Sequence, residues 1–266
     1  MEISGYFAAI LIGVSLGLIG GGGSILTVPV LVYLLGVNPV MATAYSLFIV
    51  GSTSLVGAYS KFRKGTVNLQ TALIFGLPSI AAVFFTRKYL VPAIPDEIFL
   101  IGALTFTKSF LLMLLFAEMM VFAAFSMIRN KKHEPDGDLE LKLKFNYPVI
   151  IVEGVIVGFL TGLVGAGGGF LIIPALVLLS RLPMKMAVGT SLLIIAAKSL
   201  IGFMGDMANY QMDWKLLMMM TALSIGGIFL GNYFCNKIDG LKLKRMFGWF
   251  VLLMGFYIII KELFLN

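Results

Sequence analysis

GGGGSILTVP at 20–29 and GAGGGFLIIP at 165–174 are the two stretches on which the fold turns. The first interrupts an apolar run, Ile3 to Leu35, that carries no charge over 33 residues. About 20 residues of helix already span the roughly 30 Å of hydrocarbon in a bilayer, so this run is not one straight helix. A helix that stops inside lipid leaves carbonyls without donors, and its restart at Ser24 leaves N–H groups without acceptors. Such ends persist only where protein or a watery cavity covers them. The restarting end carries the positive pole of the helix dipole, and glycine lets a ligand come close to the backbone. The break therefore suits an anion.

Outward from these stretches, composition sets the class. Of 266 residues, 59% are hydrophobic and only 12% charged, with a mean hydropathy of +1.01. A soluble chain carries about 25% charged residues. The expectation is an all-α polytopic membrane protein whose partner is the lipid bilayer. The net charge of +7 sits in short clusters between apolar segments, which reads as topology signalling and not as a nucleic-acid surface. Cys235 is the only cysteine, which excludes an intrachain disulfide and a cysteine-rich metal site. Neither break ends in the Gly-Lys-Ser/Thr of a P-loop, and the apolar segments hold no Ser/His, HExxH or paired-carboxylate arrangement. No metal, no cofactor and no enzymatic activity are expected.

Punctuated by Gly, Pro and charge, the chain divides into a broken element at 5–35 and apolar segments near 40–60, 69–86 and 107–128. The pattern then repeats, with a broken element at 148–180 and segments near 186–205, 214–234 and 246–263. Residues 92–106 read as a short amphipathic connection. The polar stretch 129–146 reads as the linker between two membrane repeats, 1–128 and 147–266. Within it, Leu139, Leu141, Leu143 and Phe145 alternate with charged partners, as in a short strand or an interfacial strip. Adding 145 to positions 13–57 gives 19 identities in 45 positions without a gap, among them Gly20/Gly165, Pro29/Pro174, Ser46/Ser191 and Ser54/Ser199. Duplicated halves with broken helices are a transporter architecture.

Two topologies fit those segments, and they distribute the basic residues differently. If each broken element crosses fully, the halves are parallel and the 18 Lys and Arg outside helix interiors divide 10 to 8. If each enters and returns to the same side, the halves are inverted, each with a re-entrant pair and three crossings, and the division becomes 14 to 4. The positive-inside rule selects the inverted arrangement in the cell membrane, with the linker cytoplasmic and both termini outside. The two breaks then enter from opposite faces and meet near the midplane.

The doubled motif GLIGGGGSILTVP at 17–29 and GLVGAGGGFLIIP at 162–174, on two homologous halves, resembles the sulfite exporter TauE/SafE family of membrane permeases. The likeness runs over essentially the whole chain. It implies a secondary transporter of small sulfur-containing anions such as sulfite, sulfoacetate or related organosulfonates, usually as export and with no cofactor. An anion channel on the same breaks and a membrane subunit whose glycines only pack helices are the alternatives.

The expected oxyanion donors are the amides of Gly22, Gly23, Ser24 and Ile25 and those of Gly167, Gly168, Gly169 and Phe170. Upstream, Gly13, Gly17 and Gly20, like Gly158, Gly162 and Gly165, recur on one helix face and are assigned to packing. Lys198 follows Ser191 by seven residues on one face of an apolar segment, and is the expected counter-charge, with Thr190 and Ser191 as donors. Snorkelling to the interface, or pairing with Asp206, is the competing reading for this lysine. Its first-half counterpart is Thr53, and that of Ser191 is Ser46, so the site is expected to be asymmetric. The intramembrane carboxylates Glu118 and Asp206 are the candidates for proton coupling, although an anchor or helix-terminal ligand is the leading reading for Asp206.

Overall fold

The computed structural model describes residues 2–21, 23–101, 104–129, 147–178, 182–235 and 240–264. Gly22 and residues 130–146, nearly all of the expected linker and its alternating strip, lie outside the described residues.

The first break separates α1 (Glu2–Ile19) from α2 (Ser24–Pro29), which runs on through a π-helical turn, Val30–Leu34. Pro29 has no N–H to give, and the widened turn begins directly after it. α3 (Pro39–Arg63) opens with Pro39 in its first turn and with the Asn38 side chain accepting from the Val40 amide. α4 (Leu69–Phe85) is capped by the side chain of Asn68 and passes through a second π-helical turn, Thr86–Leu90, into α5 (Val91–Ala93). α6 (Lys108–Arg129) completes the first half. The second half comprises α7 (Tyr147–Val164), α8 (Gly169–Leu178), α9 (Met184–Met207), α10 (Trp214–Cys235) and α11 (Gly240–Phe264). α7, α8, α9 and α10 begin 145 residues after α1, α2, α3 and α4.

Two features differ from expectation. The connection at 92–106 is an antiparallel hairpin, β1 (Glu97–Ile101) and β2 (Leu104–Thr107), with Leu100 opposite Thr105. Its β-branched and aromatic residues favour strand, a conformation that the reading as a short amphipathic connection left unspecified. The apolar segment that ends near 86 in the sequence continues as helix to Ala93, which makes 69–93 one of five helices among the described residues that are long and apolar enough to cross a membrane. The others are 39–63, 108–129, 184–207 and 214–234. The chain is an α-helical, multi-pass membrane protein.

Glycines set how these helices pack. Gly13 abuts Ile228 and Gly17 abuts Asn232, while Ser224 Oγ donates to the Ala9 carbonyl at 3.0 Å, so α1 and α10 run parallel. Gly154 lies on Phe75, Gly158 on Ser79 and Gly162 on Val83, so α7 and α4 run parallel too. α3 and α9 run antiparallel, with Gly51 facing Leu200, Gly57 facing Leu192 and Gly189 facing Lys61. α6 and α11 do the same, with Gly248 facing Met127 and Gly255 facing Met120. At each place the missing side chain lets the neighbouring helix approach closely. Gly5 abuts Leu35 and Gly23 abuts Leu16, so α1 and α2 form a hairpin whose far ends lie side by side.

Around the crossing of α3 and α9 the core is closed by Ile25, Val28, Ile49, Phe116 and Phe203, all buried. Phe48, Phe203 and Trp214 stack at one end of it. Val152, Ile156 and Phe159 on α7, Phe229 on α10 and Leu253 on α11 face outward, where lipid accommodates them.

Candidate functional site

The two glycine breaks touch. A Cβ placed on Gly21 would fall 2.5 Å from the Gly169 carbonyl carbon, so the backbones themselves are in contact there. Gly167 rests against Val50 and Ile195, near the middles of α3 and α9. In the second break Gly165, Gly167 and Gly168 take φ of +71°, +62° and +74°, a left-handed conformation that side chains resist. In the first, Ser24 Oγ donates to the Gly21 carbonyl at 2.7 Å and Thr27 Oγ1 to the Gly23 carbonyl at 3.2 Å. Both hydroxyls are thus spent on their own break.

Backbone donors survive at the second break. The Gly168 amide donates to the Ala166 carbonyl at 2.6 Å, whereas those of Gly167, Gly169 and Phe170 meet no loop or cap carbonyl among the described residues. Gly169 and Phe170 open the ten-residue α8, so their N–H groups lie at the positive end of its dipole.

Two cations approach the same short loop. Lys198, 1% exposed, donates from Nζ to Thr161 Oγ1 at 2.8 Å and lies beside Gly168. Among the described residues no carboxylate forms an ion pair with it. Arg87, fully buried in the π-helical turn after α4, lies beside Gly165. Its Nη1 donates to Thr43 Oγ1 at 3.0 Å and faces Asp206 Oδ2 at 3.5 Å, while among the described residues Nε and Nη2 have no hydrogen-bond partner. Gly168 lies three positions after Gly165, a reach of at most about 11 Å.

The first break is furnished differently. Where Gly165 meets Thr43, its counterpart Gly20 meets Val188, and where Gly168 meets Thr161, its counterpart Gly23 meets Leu16. By the offset of 145, Arg87 corresponds to Asn232, Lys198 to Thr53 and Asp206 to Lys61. Equivalent packing places thus hold Thr43 and Thr161 at the second break but Val188 and Leu16 at the first, and both cations at the breaks gather at the second.

Residues 6–258 match the family described as Sulfite exporter TauE/SafE. The chain belongs to the TauE/SafE family. A "Probable membrane transporter protein" of Xylella fastidiosa (strain 9a5c) is 31% identical over 252 residues, covering 94% of this chain and 91% of its own. Its namesake from strain Temecula1 is 32% identical over 257 residues, with coverage of 94% and 91%. The "Probable membrane transporter protein YdhB" of Bacillus subtilis (strain 168) is 27% identical over 234 residues, covering 88% of this chain and 90% of its own. No solved structure matches the chain. This TauE/SafE member is a polytopic membrane transporter and not an enzyme.

In this TauE/SafE chain the remaining expected site residues are spread along α3 and α9. Ser191 Oγ donates to the Val188 carbonyl at 2.9 Å and reaches the Gly20 carbonyl at 3.4 Å, which puts it on the first break. Thr190 Oγ1 accepts from the Asn68 amide at 2.9 Å, so it ties α9 to the α3–α4 loop. Thr53 Oγ1 donates to the Ile49 carbonyl at 2.7 Å. Ser46 is buried with an unpartnered hydroxyl, as are Ser54 and Ser199. Ile25 is fully buried in α2 and Phe170 is 4% exposed at the head of α8. Glu118 is exposed on α6, and among the described residues no ion pair joins it to the breaks. Asp206 pairs with Arg87 and not with Lys198.

Arg87, Thr43 and Thr161 were not singled out by sequence. Arg87 was hidden because hydropathy falls at Thr86 and suggests a helix end, whereas the apolar Tyr89-to-Val91 continuation was the available signal that the span runs on. Thr161 was legible as a polar residue one turn before the break, where the first half has Leu16.

Proposed function

We infer that this protein is a secondary transporter of small sulfur-containing oxyanions, sulfite or organosulfonates, working by alternating access around the second glycine break. The observation that carries this reading is Lys198, a buried cation with no acidic partner beside the open amides at the head of α8. A lone buried ammonium is costly, and an anion held by it and by N–H donors removes that cost. Such donors fit a tetrahedral or trigonal oxyanion better than a spherical ion. Export is the direction that the family description favours.

Several packings at once support an inverted arrangement of the halves. Equivalent helices α3 and α9 are antiparallel, and so are the α6 and α11 that end each half. α1 is parallel to α10, and Gly5 adjoins Leu35, as in a pair that enters and returns to one side. These directions support the inverted topology, to which the basic residues assign a cytoplasmic linker and outside termini. Burial of Ser24, Ser46, Lys198 and Ser199 at 0–1% exposure favours a closed carrier state over a standing pore. The unpartnered hydroxyls of Ser46, Ser54 and Ser199 mark a polar route along α3 and α9.

The test is thermal stability of the purified protein with sulfite, thiosulfate, sulfoacetate, methanesulfonate, sulfate, acetate and chloride, followed by flux in proteoliposomes. A ligand that binds only the folded state raises the melting temperature. The expected result is a shift and saturable flux for at least one sulfur oxyanion, both lost in Gly168→Val and Lys198→Met. Saturable flux that is unchanged in both variants would remove the site from the breaks.

A further inference from the structure

We propose that Arg87 is a second station for the transported anion, that Asp206 holds its place while the station is empty, and that Asp206 takes up a proton when the anion displaces it. The inference rests on the transporter reading above and adds the route and the coupling ion to it.

Geometry supports each part. Arg87 is a fully buried guanidinium with two of its three nitrogens, Nε and Nη2, unpartnered among the described residues, and Nη2 is directed at Gly165 in the break that Lys198 reaches at Gly168. Guanidinium binds carboxylate and sulfonate oxygens best through two parallel N–H groups. Its pairing with Asp206 falls short of that, at one 3.5 Å approach and with neither carboxylate oxygen hydrogen-bonded. Asp206 is therefore a loosely held partner. An oxyanion offering two or three oxygens makes the better one, and the loop between Gly168 and Gly165 brings it from Lys198.

Displacement leaves Asp206 fully buried without its counter-charge. The groups facing it are Arg87 from the π-helical turn, Lys108 at the head of α6 and Tyr210 just beyond α9, with Asp96 set behind Lys108 and Tyr210. Once Arg87 is neutralised by substrate, a proton from the aqueous side that adds to a carboxylate oxygen of Asp206 removes the exposed negative charge at the least cost. One proton then accompanies one anion. The first half has no such pair, since the counterparts of Arg87 and Asp206 are Asn232 and Lys61.

The experiment is titration calorimetry of the full-length protein with thiosulfate and methanesulfonate, anions that do not titrate near neutral pH. It is run in two buffers of different ionisation enthalpy, which reports protons taken up per anion bound. The parent is expected to take up close to one, with affinity falling about tenfold per pH unit across the range in which Asp206 is ionised in the empty protein and protonated in the complex. Asp206→Asn is expected to bind severalfold more tightly, because the competitor is gone, to take up none, and to lose accumulation driven by a pH gradient. The double variant Arg87→Gln with Asp206→Asn removes both charges together, and is expected to bind more weakly than the parent without proton uptake. Anion binding by the parent without proton uptake overturns this inference alone, and so does undiminished uptake in either variant. Failure of every anion to bind would overturn the transporter reading and this inference with it.

Discussion

In the proposed site Lys198 is the residue on which anion binding is expected to depend most directly, because among the described residues it is the buried cation at the breaks without a carboxylate. Its neighbour Thr161 donates onward to the Val157 carbonyl at 2.6 Å, so the hydroxyl presents its lone pairs to Nζ and holds the ammonium beside Gly168. Lys198→Met keeps the volume of the side chain and removes the charge. Loss of a charge-assisted hydrogen bond is worth about 1.5–3 kcal/mol, so anion affinity is expected to fall roughly 10- to 100-fold, read as the ligand concentration needed for half the thermal shift. Thr161→Val deletes the positioning hydroxyl and is expected to weaken binding less than Lys198→Met does, by about tenfold or under, with the unliganded melting temperature within a few degrees of the parent. Lys198 was legible in the sequence as a cation inside an apolar run. Arg87 was not, because the two-residue polar dip at Arg87 and Lys88 looks like a helix end until the continuation to Ala93 is seen.

At the scale of the elements, each short helix next to a break is held by a helix of the other half. α1 has its glycines on α10, where Gly13, Gly17, Gly227 and Gly231 interdigitate, and α7 has its own on α4. Gly17→Leu or Gly231→Leu forces apart backbones in van der Waals contact and is expected to cost at least about 1–3 kcal/mol, seen as a lower melting temperature and poorer recovery from the membrane. The counterpart change Gly162→Leu on α7 is expected to act likewise, since its missing Cβ faces Thr86 and Val83. Gly36→Ala is the control, because nothing lies within 4 Å of Gly36, although its φ of +68° sets a small backbone penalty. The periodicity of these glycines was visible in the sequence and pointed to helix packing. Which helix each met was not visible, since small-residue spacing names a face and not a partner.

Across the whole molecule, the test of inversion is which side of the membrane each loop faces. Cys235 is the only native cysteine, so Cys235→Ser gives a background for single-site labelling. Lys64→Cys and Lys185→Cys, both at exposed positions, are expected to react with an impermeant maleimide from the same side, and Gln211→Cys, also exposed, from the opposite side. Parallel halves would instead put 64 and 211 on one side, because position 209 is the counterpart of 64. By itself the sequence determined the class, the duplication and the places where helices break, because hydropathy, a fixed offset and runs of glycine are properties of the chain read in one dimension. The hairpin at 97–107 escaped that reading, since a short apolar stretch does not declare its period. Only the tertiary structure decided that the breaks touch at Gly21 and Gly169 and that the second is the polar one. It brings Thr43, Arg87, Thr161, Lys198 and Asp206 from four different helical segments to one loop. Gathering charged and hydroxyl groups from segments far apart in the chain into one buried, low-dielectric place strengthens the electrostatic interactions among them, and no local pattern encodes that placement.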